Sequence, residues 1–316
     1  GRALVSLLRS QDRDVRVLDL IAHPDVPTIV GDICDPSVAA KACDGVDVVF
    51  HTVAIVTQHP RKTPLIRRVN VAGTQVMLDA AQAAGVRRFV FTSSIDVVFD
   101  GSDISAGDES LPYAERFLDA YGRSKADAER LVLAANGQAG MATTALRAAG
   151  IFGPHDQHRL PVALAYIRRN GFVRLGDGGA RFSHVYVDNL AHAHVLAAEA
   201  LTLQSAVAGQ AYFITDHKPT NFFDFLRPYV EAAGLGSLKG SIPGWVAWGL
   251  GCAFEGVYIG FGRFLSVDPV MTRYTVAAVC RDFWFVHDKA TRDFGYEPVV
   301  SEDDALQRTL AWVRTL

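Results

Sequence analysis

Residues 46–51 read Val-Asp-Val-Val-Phe-His and residues 88–92 read Arg-Phe-Val-Phe-Thr, with a helical pattern over 64–84 between them. Short apolar runs rich in Val and Phe, without polar alternation, read as strands covered on both faces. Working outward, 15–20 and 28–30 read as earlier strands and 36–43 as a helix. A helix over 114–135 then leads to a strand at 143–147. Strands alternating with helices predict βαβ units with right-handed crossovers, and so an α/β, doubly wound parallel sheet. Beyond Gly150 the pattern is less regular, with helices at 161–170, 190–201 and 302–316 and strands at 182–187, 211–215 and 280–286. No repeat or low-complexity linker separates the halves. The expectation is a dinucleotide-binding part over 1–147 and a smaller, interwoven C-terminal substrate lobe over 148–316, some of whose segments return to the sheet.

The bulk composition excludes several functions. A net charge of −3 with 21% charged residues gives no field for nucleic acid. Cys34, Cys43, Cys252 and Cys280 are far apart and form no CxxC pair, so they read as buried thiols in a reducing, cytoplasmic compartment, with no metal box. The chain opens directly on a helical pattern, with no signal peptide and no strand before it, so the first strand and most of a glycine loop are expected to be missing. Segment 242–265 is long and apolar, but Glu255, Arg263 and several glycines argue against a span. It reads as a core or dimer helix, as a greasy lid over a lipid-like ligand, or as a peripheral membrane contact.

An acidic residue closing the second strand of a dinucleotide fold hydrogen-bonds the adenosine ribose and repels a 2′-phosphate. Asp19 stands there without a neighbouring Arg, which favours NAD over NADP. Gly1 precedes it by close to the ~20 residues expected from a glycine loop. Asp32 could accept the adenine amino group with Ile33 against the ring, although N-capping by Asp32 or Asp35 fits equally well. Ala54 follows the fourth strand, where a small residue lets a ribose approach. Asn70 beside Gly73 is costly inside a helix, which implies a specific hydrogen bond.

Tyr121 and Lys125 are i, i+4 on a helix and share a face. An ammonium beside a phenol is expected to lower its pKa, letting the phenolate take an alcohol proton while hydride leaves. Ser94, at a strand end, is placed to bond the same oxygen. Arg147 is expected to tie the two lobes together. His155, His158 and Arg159 are candidates to meet a substrate carboxylate.

The stretches Thr92-Ser93-Ser94, Tyr121-Gly122-Arg123-Ser124-Lys125 and 146–154 (LRAAGIFGP) resemble the extended short-chain dehydrogenase/reductases, whose sheet is the Rossmann type. Residues 130–137, 182–196, 209–215 and 289–298 resemble the 3β-hydroxysteroid dehydrogenase branch. Residues 97–104 and 108–113 look most like sterol-4α-carboxylate 3-dehydrogenases, the decarboxylating enzymes of sterol C4 demethylation. The resemblance implies Ser94, Tyr121 and Lys125 as catalytic residues. It implies NAD contacts at Asp19, Asp32, Ile33, Ala54 and Asn70, and a sterol or lipid-like substrate. A homodimer through 64–84 and 114–135 is a further implication. Steroid Δ5-isomerases and long-chain 2-alkyl-3-oxoacid reductases share the pattern, and an inactive NAD-binding scaffold is the non-enzyme alternative.

Overall fold

The computed structural model describes residues 1–261 and 271–316. Arg263 and Leu265 of the apolar segment lie outside the described residues.

The strand Arg88–Ser94 is the hub of a four-stranded parallel sheet ordered Gln210–Ile214, Ala142–Ala148, Arg88–Ser94, Val48–His51. Its alternate residues feed two cores. Phe89 and Phe91 pack with Met77, Leu78 and Val132 on one face. Val90 packs with Val97, Ala193 and Ala197 on the other. This double burial is the physical reason for an apolar run without alternation. The strands Val17–Asp19 and Thr28–Val30 pair with each other in a separate two-stranded sheet, so the single expected sheet is in two pieces. Both Val17–Asp19 and Val48–His51 line the cleft described below. The strand Gln210–Ile214 returns from beyond residue 150 to the central sheet, as the interwoven reading requires.

Local chemistry sets the helix boundaries. Pro36–Cys43 matches its expected span because Asp35 caps it, accepting from Ser37 N at 2.8 Å, with Pro36 in its first turn. The 64–84 pattern is instead three pieces, Thr63–Ile66, a π-turn Arg67–Gly73 and Thr74–Ala83. The helix expected over 114–135 spans Ala120–Ala134, because Asp119 caps it. The Arg147 guanidinium lies 5.0 Å from the ring centre of Phe213, beyond residue 148, as the expected link needs. Arg147 lies within its strand and also grips Glu129 of that helix at 2.8 Å. The cysteines are only partly as expected, since Cys43 is buried but Cys252 is exposed.

The apolar segment forms the helix Gly244–Phe261. Only a narrow stripe through Ala247, Gly251 and Glu255 faces the body. Gly251 lets the two helices approach closely there, since a Cβ would lie 3.1 Å from the Thr272 backbone. Glu255 accepts from Arg273 N and Arg273 Nε, each at 2.7 Å, locking this helix to Arg273–Cys280. Among the described residues no helix is long and apolar enough to cross a membrane.

Candidate active site

A large open cleft runs along the strands Val17–Asp19 and Val48–His51 to the end of Arg88–Ser94. Gly1, Asp19, Ile33, Ala54, Ser94, Tyr121 and Lys125 all line it. So do Phe254, Tyr258 and Tyr274, which come from the helices Gly244–Phe261 and Arg273–Cys280 and form part of its wall.

The reacting groups are set by two elements. The strand Arg88–Ser94 delivers Ser94 at its end. The helix Ala120–Ala134 presents Tyr121 in its first turn and Lys125 one turn later. Asp119 fixes the helix start through Gly122 N at 2.8 Å. Lys125 is 2% exposed, and its Nζ donates to the Thr92 carbonyl at 2.5 Å while lying 4.2 Å from the centre of the Phe91 ring. Burial pulls its ammonium down to about 7, against the opposing fields of Glu129 and Asp96.

The expectation that Lys125 lowers the Tyr121 phenol is not met. Burial first, then the Asp96 carboxylate, push that phenol well above its ordinary value, and only a hydrogen bond with Ser94 pulls it down. Lys125 is itself held at Thr92 with its charge curtailed by burial. At neutral pH the phenol is therefore protonated in the structure as it stands.

Sequence reasoning passed over Asp96. Its buried carboxylate accepts from Ser94 Oγ at 2.5 Å through Oδ2 and from Tyr274 OH at 2.6 Å through Oδ1. Burial raises its pKa. Ser94 thus donates its proton inward and accepts from Asp96 N at 3.4 Å, which leaves one lone pair for the cleft side. The Ser94-Ile95-Asp96 spacing was a local signal for this contact. Tyr274, 178 residues further on, had none. Asp119 is pushed up to about 7 by burial, the Asp96 field and, more weakly, Glu255.

Two expected cofactor contacts are spent elsewhere. Asp32 does not line the cleft: its carboxylate accepts from Cys34 N and from Arg68 Nη1, both at 2.9 Å. Asn70 is 2% exposed and is likewise absent from the lining. Its Oδ1 accepts from Ile55 N at 2.7 Å, and its Nδ2 donates to Ile55 O at 3.1 Å and Ser124 Oγ at 2.9 Å. The hydrogen-bonding role expected for it is real, but it braces the post-strand loop against the helix Ala120–Ala134. Gly1 and Asp19 are exposed and Ala54 is half-buried on the cleft wall, positions suited to a dinucleotide, whereas Ile33 is 6% exposed and packs into the core with Ala39 and Cys43.

Comparison with known proteins gives the following. The model of the 3-beta hydroxysteroid dehydrogenase/isomerase family matches residues 1–242. The 3 beta-hydroxysteroid dehydrogenase/Delta 5-->4-isomerase of Mycobacterium tuberculosis is 40% identical over 334 residues, covering 100% of this chain and 88% of that protein. The human sterol-4-alpha-carboxylate 3-dehydrogenase, decarboxylating, is 34% identical over 322 residues, covering 100% and 86%. Among solved structures, the Thermus thermophilus UDP-glucose 4-epimerase in complex with NAD superposes with a TM-score of 0.75 at 19% identity, covering 99% of this chain and 95% of that one, a likeness of fold.

Proposed function

The chain belongs to the 3-beta hydroxysteroid dehydrogenase/isomerase family, and from that premise we propose that it oxidises the 3β-hydroxyl of a steroid or sterol to the 3-ketone with NAD. The observation that carries the reading is one cleft lined by Ser94, Tyr121 and Lys125 beside Gly1, Asp19 and Ala54. When bound, NAD supplies the acceptor for the hydride leaving C3. Ser94 orients the Tyr121 phenol and the substrate oxygen through the lone pair that Asp96 N leaves free. Tyr121 takes the alcohol proton only after its phenol has lost its own, and it gives a proton to the ketone in the reverse direction. Lys125 sets the local charge. Because the resting phenol is protonated, the site is poised to give a proton to a ketone, and oxidation is expected to gain as pH rises. Residues 1–147 would bind the dinucleotide, and the substrate would sit mainly against the chain beyond them.

The finer reading is a 4-carboxysterol, supported by the likeness to the human decarboxylating enzyme. Once C3 is a ketone, the bond from C4 to the carboxylate breaks and its electron pair moves onto the carbonyl oxygen. CO2 leaves, and the enolate takes a proton at C4. The higher identity to the mycobacterial protein favours a second reading, movement of a Δ5 double bond after oxidation. Incubating the enzyme with NAD and either a 3β-hydroxy-Δ5-steroid or a 3β-hydroxy-4-carboxysterol tests all three. NADH, evolved CO2 and a conjugated enone are the respective signals, and no NADH from either substrate ends the proposal.

The helix Gly244–Phe261 turns an apolar face outward, with Trp245 80% and Ile259 66% exposed beside Trp248, Phe254 and Val257. Such a face adjoining a large open cleft suits peripheral docking on a bilayer. Adding anionic phospholipid vesicles is expected to shift tryptophan emission to the blue. Changing Trp245 and Trp248 to Ser should weaken vesicle partition at least ~10-fold, at roughly 1.5–3 kcal/mol per large buried side chain. Unshifted emission in the unaltered protein counts against membrane contact.

A further inference from the structure

Arg159 is a buried cation without a partner. Both of its terminal nitrogens, Nη1 and Nη2, are buried and make no hydrogen bond. The nearby carboxylates are already engaged. Asp156 spends its oxygens on the backbone N–H groups of His158, Arg159 and Leu160, at 2.7–3.0 Å. Asp96 spends its own on Ser94 and Tyr274. Aromatic rings flank the guanidinium, whose Cζ lies 4.8 Å from the centre of Phe182, 5.4 Å from Phe222 and 5.5 Å from Phe225.

The position is built to hold this group. A Cβ on residue 150 would fall 1.7 Å from Arg159 Nη1, so only glycine lets the guanidinium lie on that stretch of backbone. Arg159, Gly150, Phe182 and Phe222 line the same cleft as Ser94 and Tyr121. Against burial, the fields of Asp156, Tyr274, Asp96 and Tyr229 act on the guanidinium, so it lies near Asp96 and Tyr274 as well as its own loop carboxylate. Burial lowers its pKa only to about 10, so it stays charged at neutral pH. A desolvated cation with no hydrogen-bonded anion is costly, whereas an anion entering from the cleft would satisfy two donors at once in a planar fork.

We propose that Arg159 is an anion subsite of the substrate cleft and that it selects substrates carrying a carboxylate near the reacting hydroxyl. The inference rests on the dehydrogenase reading and narrows its substrate class. The aromatic rings hold the guanidinium plane and exclude water. The carboxylate accepts from the two terminal nitrogens while the alcohol reaches Ser94 and Tyr121. His155 and His158, the other candidates for this task, are exposed on the preceding loop.

The experiment compares a 3β-hydroxy-4-carboxysterol with the same sterol lacking the carboxylate, in the unaltered enzyme and in Arg159→Leu. The expected result is a loss of about 100-fold in kcat/KM for the carboxylated substrate and a change under about threefold for the uncharged one, as for a charged hydrogen-bonded pair. Arg159→Lys should recover part of the loss. Calorimetric titration without NAD should show the same ratio in Kd. Equal binding of the two sterols by the unaltered enzyme overturns the inference, as does an equal loss for both in Arg159→Leu. NADH from the uncharged sterol would still leave the dehydrogenase reading standing in those cases. If neither sterol yields NADH, that reading falls, and the titration alone decides the subsite.

Discussion

Tyr121→Phe is expected to lower kcat for steroid oxidation by about 10³-fold while leaving KM within a few-fold, the pattern for a group that acts on the proton in the transition state. The phenol oxygen is the one group in the cleft placed both against Ser94 and on the face that Lys125 shares. Removing it takes away the proton acceptor but none of the walls that bind an apolar substrate. The folded protein should be no less stable, because the phenol ring stays and a buried hydroxyl among carboxylates is lost. The measurement is steady-state NADH formation with a thermal melt on the same sample. A variant that melts like the parent and keeps more than a tenth of its kcat would remove Tyr121 from the mechanism.

Lys125→Met should separate activity from stability. Activity should fall by at least 10²-fold, because the charge beside the phenol is lost. Stability should move the other way at neutral pH. The ammonium is buried, and its pKa drops from 10.5 in the unfolded chain to about 7 in the fold. Between those values the unfolded chain binds more protons, so the stability of the unaltered protein rises with pH across that window. Below about pH 7 both states carry the charge, and the full burial penalty applies. Met keeps the bulk without the charge, at the cost of leaving the Thr92 carbonyl short of one donor. The variant is therefore expected to be more stable by about 1–3 kcal/mol near pH 6.5, with the advantage shrinking to nothing toward pH 10. Chemical denaturation at pH 6.5, 8 and 9.5 reads this directly. A variant less stable than its parent at pH 6.5, or a gap that does not narrow with pH, would show that the lysine is not carrying a burial penalty.

Some features needed nothing beyond local spacing. The buried strand at 88–92 is legible because a strand covered on both faces has no reason to alternate. Pro36–Cys43 is legible because its cap and its proline sit next to one another in the chain. The facing of Tyr121 and Lys125 follows from the rise of a helix alone. Other features had no local signature. Asn70 announced an unusual hydrogen bond, yet its partners Ile55 and Ser124 come from two other segments. The helix expected over 64–84 breaks into a π-turn around that same residue. Arg147 read as a link between lobes and does meet Phe213, but its ion-pair partner is Glu129 in the helix Ala120–Ala134.

The amino-acid order by itself determined the layered α/β architecture and which side chains could do chemistry, since both depend on periodicity and neighbours along the chain. Tertiary structure alone decided their ionisation. Desolvation and charge–charge interaction depend on distance through space, so the same Tyr and Lys that suggest an activated phenol become a protonated phenol and a half-neutralised ammonium once Asp96, Tyr274 and the sheet close around them. It was also folding, and not composition, that left Arg159 without an anion.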